Sequence, residues 1–288
     1  MSNEIAWLEP KSPKEIMDKA IEDYELDSIY VLFSGGKDSV CVADYVATNY
    51  PDTFKGCVFT VTGFGVPETR NFAVKYCNKR GWPLTFTWPK EKERYYNMVL
   101  RHGFPGQGNH QMWMGFLKYH TWYQFMKQRL NSGEKACFIS GVRKKESWAR
   151  DKKKLYSKTP VDTDGRLIFV KPFLYKNATQ LWEYYNEHEL ERSPAYDWFD
   201  KSGECLCGAH AEEWELKMLE KYYPLGFQYV KWLENQIQLY GSKKAKKYCK
   251  WGNGPHANDV EAQNTMEQFF GNEIVVIEDY CGESCQVG

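Results

Sequence analysis

The sequence lacks both a long apolar run and an excess of either charge. Its 38 lysine and arginine residues balance 38 aspartate and glutamate residues, so no global field attracts nucleic acid or a membrane surface, and any such binding needs a local patch. No apolar run approaches the length that crosses a bilayer. The start, Met1 to Glu4, lacks the basic segment and apolar core of a secretory signal. We therefore expect a cytoplasmic protein with no membrane partner.

A disulfide framework is a second feature that the sequence does not support, because nine cysteines are an odd number in a chain without a secretory signal. Four of them fall inside apolar helix or strand patterns, where a free cysteine usually serves as a small core residue. These four are Cys41, Cys57, Cys77 and Cys137. The other five crowd into the last third of the chain, among glycines and charged residues, and are candidate metal ligands. They are Cys205, Cys207, Cys249, Cys281 and Cys285.

What the chain does contain is enough apolar material for a large core. Of its 288 residues, 42% are hydrophobic and 16% aromatic, which suits one large domain and a smaller module. Strand-like and helix-like segments alternate through the first two thirds. The predicted strands cover residues 28–33, 56–61, 84–87, 136–140 and 167–170. The predicted helices cover residues 13–24, 40–46, 67–80, 91–101, 112–130 and 178–189. This alternation predicts an α/β fold with a doubly wound parallel sheet, whose ligands bind beyond the carboxyl ends of the strands.

The most informative segment lies between the first predicted strand and the helix after it. Its residues are Ser34, Gly35, Gly36, Lys37, Asp38 and Ser39. Two glycines let the backbone approach an anion closely, and free N–H groups in the first turn of the helix point at that anion. The segment lacks the glycine spacing of a Walker loop and the third glycine of a dinucleotide fingerprint. It therefore predicts a phosphate-binding loop of another type.

The pattern changes near Ser202, where helices at residues 209–223 and 227–240 alternate with cysteine and glycine clusters. We therefore predict a nucleotide-binding α/β domain over residues 1–201. Residues 202–288 would form a cysteine-rich, mainly helical C-terminal module.

The loop resembles the PP-loop, SGGxDS, of the ATP pyrophosphatases. Further segments extend the resemblance to the phosphoadenosine phosphosulfate (PAPS) reductase family, within the adenine nucleotide alpha-hydrolase superfamily. Residues 61–70 are similar to the family's DTG-x-x-x-PET run, with Val61 in place of the aspartate and with Thr62 and Gly63 facing the adenosine. Residues 103–118 resemble its GFP…R-W-C-x-x-x-LK stretch, with Trp113 at the cysteine position. Lys118 then becomes a candidate phosphate or sulfate contact, the alternative being an exposed lysine on an aromatic-rich helix.

A third segment, residues 140–150, resembles the family's G-x-R-x-x-ES-x-x-R motif. The resemblance implies that Gly141 and Arg143 reach the nucleotide phosphates, that Glu146 orients the arginine, and that Arg150 adds a further contact. Arginine suits this role because its planar guanidinium offers paired donors and stays charged. The lysines that follow Arg150 are more typical of a solvated charge run. Residues 171–196 resemble family motifs that report mainly on the fold.

The intact loop decides which chemistry the resemblance implies. Family members that act on preformed PAPS have a degenerate loop, whereas relatives that split ATP keep SGGxDS. The resemblance thus implies ATP as the nucleotide, with Lys37 neutralising the leaving pyrophosphate, Asp38 holding Mg²⁺ and Arg143 gripping phosphate. Ser34 and Ser39 would donate hydroxyls to phosphate oxygens. Most of the catalysis would come from stabilising the developing pyrophosphate charge.

The cysteine-rich end adds a second set of implications. Residues 203–210 resemble cysteine motifs of iron–sulfur family members, and more faintly the ECG-x-H tail of sulfonucleotide reductases. Together with the three later cysteines they supply enough thiolates for a four-cysteine site. The spacing leaves a [4Fe–4S] cluster, structural Zn²⁺ and unligated thiols as alternatives, and we favour the cluster because relatives that activate sulfur use one.

Three functional hypotheses follow. The first is an ATP pyrophosphatase that adenylates an acceptor, which sulfur from a donor protein or a thiol then attacks. Nucleic acid is one candidate acceptor, with a lysine patch as its contact surface: Lys243, Lys244, Lys246, Lys247 and Lys250. The second is a sulfonucleotide reductase that uses PAPS or adenylyl sulfate, with Cys205 or Cys207 as nucleophile. The third is a nucleotide-binding protein without turnover. The sequence leaves the acceptor, the sulfur donor and the oligomeric state open.

Overall fold

A computed structural model describes residues 12–144, 159–163 and 167–256 of the chain. Six strands form one sheet in the order β3-β2-β1-β4-β6-β5. The strands are β1 (Ser28–Leu32), β2 (Phe54–Thr60), β3 (Leu84–Thr87), β4 (Ala136–Ile139), β5 (Val161–Thr163) and β6 (Ile168–Val170). All neighbours pair in parallel except β5 and β6. The predicted doubly wound α/β fold is confirmed.

The antiparallel edge strand β5 was not predicted, because three residues carry too little periodicity to be recognised. Its direction follows from the short connection to β6, since a parallel pair needs a crossover of a dozen residues or more.

The helices follow the predicted pattern, with local differences. They are α1 (Pro13–Tyr24), α2 (Lys37–Asn49), α3 (Pro67–Arg80), α4 (Tyr95–His102), α5 (His110–Met114), α6 (His120–Asn131), α7 (Ala178–Glu187), α8 (Tyr196–Phe199), α9 (Glu213–Tyr222), α10 (Pro224–Tyr240) and α11 (Lys243–Lys247). A π-helical turn, Gly115–Tyr119, separates α5 from α6 inside the single helix predicted for residues 112–130. Helix α10 begins earlier than predicted because Pro224 stands in its first turn, where a missing N–H costs nothing.

Helices cover both faces of the sheet, as the side chains of β1 illustrate. Ile29 and Val31 point into a core shared with α1, α2 and α3, whereas Tyr30 points to the opposite face and packs against α6. The four cysteines of the apolar patterns, Cys41, Cys57, Cys77 and Cys137, are buried in the first core. Burial raises the pKa of each of the thiols of Cys41 and Cys137, which suits a packing role.

A third core joins the last helices to the loops that follow the strands. Phe64, Tyr95 and Trp113 pack there with Leu206 and Trp251. Residues before and after position 202, the predicted boundary between the two parts of the chain, therefore pack in the same core. Within the described ranges, no helix is both long enough and apolar enough to span a membrane.

The titration of His102, at the end of α4, gives a prediction for stability. Burial, with help from the positive charges of Lys244 and Arg101, lowers the pKa of His102 from 6.5 to about 4. The unfolded chain thus binds more protons between these pH values, and the free energy of unfolding should fall as the pH drops through this window. The expected loss is about 1.4 kcal/mol for each unit of the pKa difference.

Denaturant unfolding between pH 7 and pH 4 measures this slope. A His102→Leu variant should show a flatter profile over the same window. A His256→Gln variant, which changes an exposed histidine, should keep the wild-type slope. An unchanged profile in His102→Leu would contradict the prediction.

Candidate functional site

The predicted phosphate loop lies at the carboxyl end of β1, where the chain turns into α2. Gly36 is the N-cap of α2 in an extended conformation, and no side chain caps the helix. Gly35 has a φ of +76°, which side chains disfavour, and a Cβ there would come within 3.3 Å of Phe72 and Thr69. The backbone amide of Ser193 donates to the Gly35 carbonyl at 2.9 Å. The bond from Ser193 therefore fixes the loop, and the N–H groups in the first turn of α2 remain available for an anion.

The two serines of the loop bond to it and to each other. The Ser39 hydroxyl donates to the Gly36 carbonyl at 2.9 Å and lies 3.2 Å from the Ser34 hydroxyl. The amide of Gly36 donates to Ser34 Oγ at 3.3 Å. These contacts shape the turn, and they leave hydroxyl groups next to the amides of the helix.

Asp38 is the centre of a buried charge cluster at the same place. Its carboxylate contacts the Nζ of Lys37 at 2.8 Å on one oxygen and the guanidinium of Arg143 on the other. Asp38 is completely buried and Arg143 is 4% exposed, whereas Lys37 keeps part of its side chain in solvent. Lys37 also lies 5.8 Å from the ring centre of Trp182. Two cations and one anion thus meet at the N-terminus of α2.

Gly141 explains how Arg143 reaches α2. A Cβ at Gly141 would lie 3.0 to 3.2 Å from the backbone and side chain of Asp38. Only a small residue lets the end of β4 come this close. Gly141 and Arg143, which the family resemblance assigned to the nucleotide site, therefore lie next to the loop. Glu146 and Arg150, from the same motif, lie outside the described residues.

Thr62 and Gly63 follow β2 and face the cysteine-rich segment. The Thr62 hydroxyl is 3.4 Å from the Glu204 carbonyl. Gly63 has a φ of +97°, and a Cβ there would meet the side chain of Tyr95 at 3.2 Å. Val61, at the position of the family's aspartate, packs against the first core.

Lys118 lies on the π-helical turn and is buried rather than exposed. Its Nζ contacts the Glu204 carboxylate at 2.6 Å, and both side chains are at most 5% exposed. Sequence analysis missed Glu204 as a partner. The available signal was the need of a buried lysine for a counter-ion, together with an acid beside the first cysteine of the cysteine pair.

The segment with Cys205 and Cys207 is tied to the loop that follows β2. The amide of Leu206 donates to the Phe64 carbonyl at 2.8 Å, and the amide of Val66 donates to the Gly203 carbonyl at 2.7 Å. The Tyr95 hydroxyl donates to the Cys207 carbonyl at 2.7 Å. Burial raises the pKa of Tyr95, so this donor stays protonated.

The five candidate metal ligands are only partly described. Cys205 and Cys207 are buried, and the Sγ of Cys249 accepts from the Gln238 amide at 2.7 Å. Residues 12–144, 159–163 and 167–256 contain no group of three or more histidine, cysteine, aspartate or glutamate residues that could hold a metal ion. Cys281 and Cys285 lie outside these ranges, so the metal centre stays a prediction.

Comparison with known proteins identifies a family model. The phosphoadenosine phosphosulfate reductase domain matches residues 28–202. No curated protein matches the chain.

Solved structures with a similar fold include phosphoadenylyl-sulfate (PAPS) reductase from Candida auris in a phosphate complex, at 15% identity over 68% of this chain and 92% of that one, with a TM-score of 0.47. The U34-tRNA thiolase NcsA from Methanococcus maripaludis, with its [4Fe-4S] cluster, shares 15% identity over 78% of each chain, with a TM-score of 0.43. An FMN adenylyltransferase from Candida glabrata shares 13% identity over 85% of this chain and 86% of that one, with a TM-score of 0.45. At these identities the likeness concerns the fold alone.

The buried Lys118–Glu204 pair gives a stability prediction. Glu204→Gln removes the carboxylate that lies against the Nζ of the buried Lys118, so the free energy of unfolding should fall by about 3–5 kcal/mol. Denaturant unfolding measures the change. The double variant Lys118→Met with Glu204→Gln should lose less than the two single variants together, because it leaves no uncompensated charge.

The exposed pair of Lys79 and Glu191 is the matched control, and Glu191→Gln should change stability by about 0–1 kcal/mol. An equally small effect of Glu204→Gln would show that the buried pair does not support the fold.

Proposed function

This chain belongs to the phosphoadenosine phosphosulfate reductase domain family, and we propose that it acts there as an ATP pyrophosphatase. ATP binds at residues 34–39, and a nucleophilic atom of an acceptor attacks the α-phosphorus. The bond between the α-phosphorus and the bridging oxygen breaks, pyrophosphate leaves, and the acceptor becomes adenylated as it gives up its proton. Sulfur from a thiol or a donor protein then displaces AMP from the acceptor.

The observation that carries this proposal is the complete loop at the junction of β1 and α2 with Arg143 beside it. A glycine with positive φ, an uncapped helix start and two hydroxyls supply donors for phosphate oxygens. Lys37 and Arg143 add positive charge at the same end of the helix. This arrangement stabilises negative charge, which is what a departing pyrophosphate develops.

Each charged residue has a separate task in this mechanism. Lys37, as the more exposed cation, follows the leaving pyrophosphate. Arg143 offers a planar fork to two phosphate oxygens. Asp38 holds both cations in place until the nucleotide arrives.

The oxygens of Asp38, Ser34 and Ser39 are of the kind that Mg²⁺ prefers, since it binds one or two carboxylates together with substrate phosphates. Bound there, Mg²⁺ would neutralise phosphate charge. We assign no step to an iron–sulfur cluster.

The family's description also favours a second candidate, a sulfonucleotide reductase. That reaction needs a thiol that reaches the nucleotide as a nucleophile. Cys205 and Cys207 are 4% and 6% exposed, which suits ligands or packing residues better than an attacking thiolate. A nucleotide-binding protein without turnover is the third candidate.

Product analysis distinguishes the three candidates. The protein is incubated with Mg²⁺ and either ATP or PAPS, and pyrophosphate, AMP and sulfite are measured. We expect pyrophosphate and AMP from ATP, with Lys37→Ala slowing release by roughly a hundredfold or more. Arg143→Lys should weaken ATP binding, measured by calorimetry, by about tenfold, because a point charge cannot reproduce a bidentate fork.

Lys19→Ala, a change in an exposed pair on α1, is the control and should match the wild type. Lys19→Ala should keep the wild-type melting temperature, and the two site variants should lose more turnover or ATP affinity than thermal stability. Sulfite from PAPS without pyrophosphate from ATP would replace the proposal with the reductase. ATP binding without either product would favour the non-catalytic protein.

Anaerobic purification tests the metal prediction separately. We predict that Cys205, Cys207 and at least two of Cys249, Cys281 and Cys285 ligate one centre. Metal and sulfide analysis with an absorption spectrum should show iron, sulfide and a broad visible band, whereas zinc without a band would make the centre structural.

Cys205→Ser should lose the metal, and Cys137→Ser, in the core, should keep it. Absence of metal, with all five thiols alkylated in the folded protein, would contradict both forms of the centre.

A further inference from the structure

A third cation lies near the phosphate loop and shares an aromatic neighbour with Lys37. The guanidinium carbon of Arg192 is 5.6 Å from the ring centre of Trp182, and the Nζ of Lys37 is 5.8 Å from the same ring centre. Both distances lie within the range in which the face of an aromatic ring attracts a cation. The charges of Arg192 and Lys37 can therefore be no farther apart than these two distances combined.

The backbone next to Arg192 is attached to the loop itself. The amide of Ser193 donates to the Gly35 carbonyl at 2.9 Å, and the Ser193 hydroxyl lies 2.7 Å from the hydroxyl of Thr69. Both Ser193 and Thr69 are buried. Arg192 thus begins one residue away from a buried contact with the first glycine of the loop, so the fold fixes its place beside the phosphate site.

The contacts that orient the side chain of Arg192 compete weakly with a phosphate. Besides Trp182, the ring of Tyr196 has its centre 4.7 Å from the guanidinium carbon, and a ring face offers no oxygen or nitrogen acceptor to an N–H group. The ion pair of Arg192 with Asp197 is long, at 3.8 Å, and the Asp197 side chain is 72% exposed. Exposed pairs of this kind contribute about 0–1 kcal/mol, so a phosphate can replace Asp197 at little cost.

We propose that Arg192 binds the outer phosphates of ATP and, together with Lys37, stabilises the pyrophosphate as it leaves, an assignment that rests on the proposed function. When the bond at the α-phosphorus breaks, its electron pair stays on the bridging oxygen of the pyrophosphate, and a guanidinium beside that group stabilises the added charge. Arg192 forms no covalent bond and gives up no proton, because arginine stays charged in proteins. Trp182 is a positioning residue that holds both cations.

The exposure of the cations favours the outer phosphates over the α-phosphate as the partner of Arg192. Arg143 is buried against Asp38, whereas the side chains of Lys37 and Arg192 are 17% and 32% exposed. Pyrophosphate has to leave towards solvent, so it meets the exposed cations on its way out. The α-phosphate stays with the adenylated acceptor and needs no contact with Arg192.

Calorimetry with inorganic pyrophosphate and with AMP, each in the presence of Mg²⁺, tests the assignment without turnover. Arg192→Gln should weaken pyrophosphate binding about tenfold, as expected for the loss of one charged hydrogen-bond contact, and should leave AMP affinity unchanged, because AMP lacks the outer phosphates. Arg192→Lys keeps the charge and should lose less. Trp182→Ala should weaken pyrophosphate binding by a similar factor, and Trp182→Phe, which keeps a ring face, should restore most of the affinity.

Arg129 offers a matched control at the amino end of β4, on the opposite edge of the sheet from the loop. It also lies over two rings, with its guanidinium carbon 5.6 Å from the ring centre of Tyr30 and 5.0 Å from that of Phe125. Its ion pair with Glu134 is equally long, at 3.9 Å, and its side chain is 39% exposed. Arg129→Gln should therefore bind pyrophosphate as the wild type does.

Equal pyrophosphate affinity of Arg192→Gln and the wild type would overturn the assignment. An equal loss of AMP affinity in Arg192→Gln would also overturn it, because a general disturbance of the site would then explain the change, and so would a wild-type protein that binds no pyrophosphate. The proposed function fails on a different result. A wild-type protein that binds pyrophosphate through Arg192 but releases none from ATP would refute turnover and keep Arg192 as a phosphate contact.

Discussion

The contact of Asp38 with Lys37 and Arg143 is the interaction on which the rest of the site depends. A carboxylate with no solvent exposure is tolerated only when opposite charges lie against it. Here one cation comes from the same helix turn and the other from the segment after β4, 105 residues further along the chain. The ion pair thus joins the central strands β1 and β4 at their carboxyl ends. The glycine at position 141 makes this possible, because any side chain there would push the two segments apart.

A second buried pair organises the cysteine-rich segment in the same way. Lys118 and Glu204 are 86 residues apart in the chain, and their contact holds the turn after α5 against the residues just before Cys205. Backbone bonds from Phe64 and Val66 add to this attachment. The cysteine pair therefore has a fixed position relative to the end of β2, where Thr62 and Gly63 lie.

The sequence predicted the features whose causes are local, and it missed those whose causes are distant. Apolar strands and the glycines of the loop are each defined by neighbouring residues, so the α/β fold and the loop could be recognised. Glu204 was missed as the partner of Lys118, because the burial of Lys118, which calls for a nearby acid, is visible only in the folded chain. The π-helical turn at Gly115–Tyr119 interrupts a continuous helical pattern and has no separate signature in the sequence. The central carboxylate of the loop, Asp38, was expected to bind Mg²⁺, and its contact with Arg143 was not foreseen.

The two buried pairs differ in how a ligand could reach them. The side chain of Lys37 is 17% exposed. Phosphate oxygens can therefore approach Lys37 from solvent and replace the Asp38 carboxylate as its partner. Lys118 and Glu204 are 5% and 2% exposed in theirs, so their contact is shielded from solvent. A phosphate can therefore approach Lys37 without a change in the fold, whereas a contact with Lys118 would require the packing around Glu204 and the neighbouring cysteine pair to open.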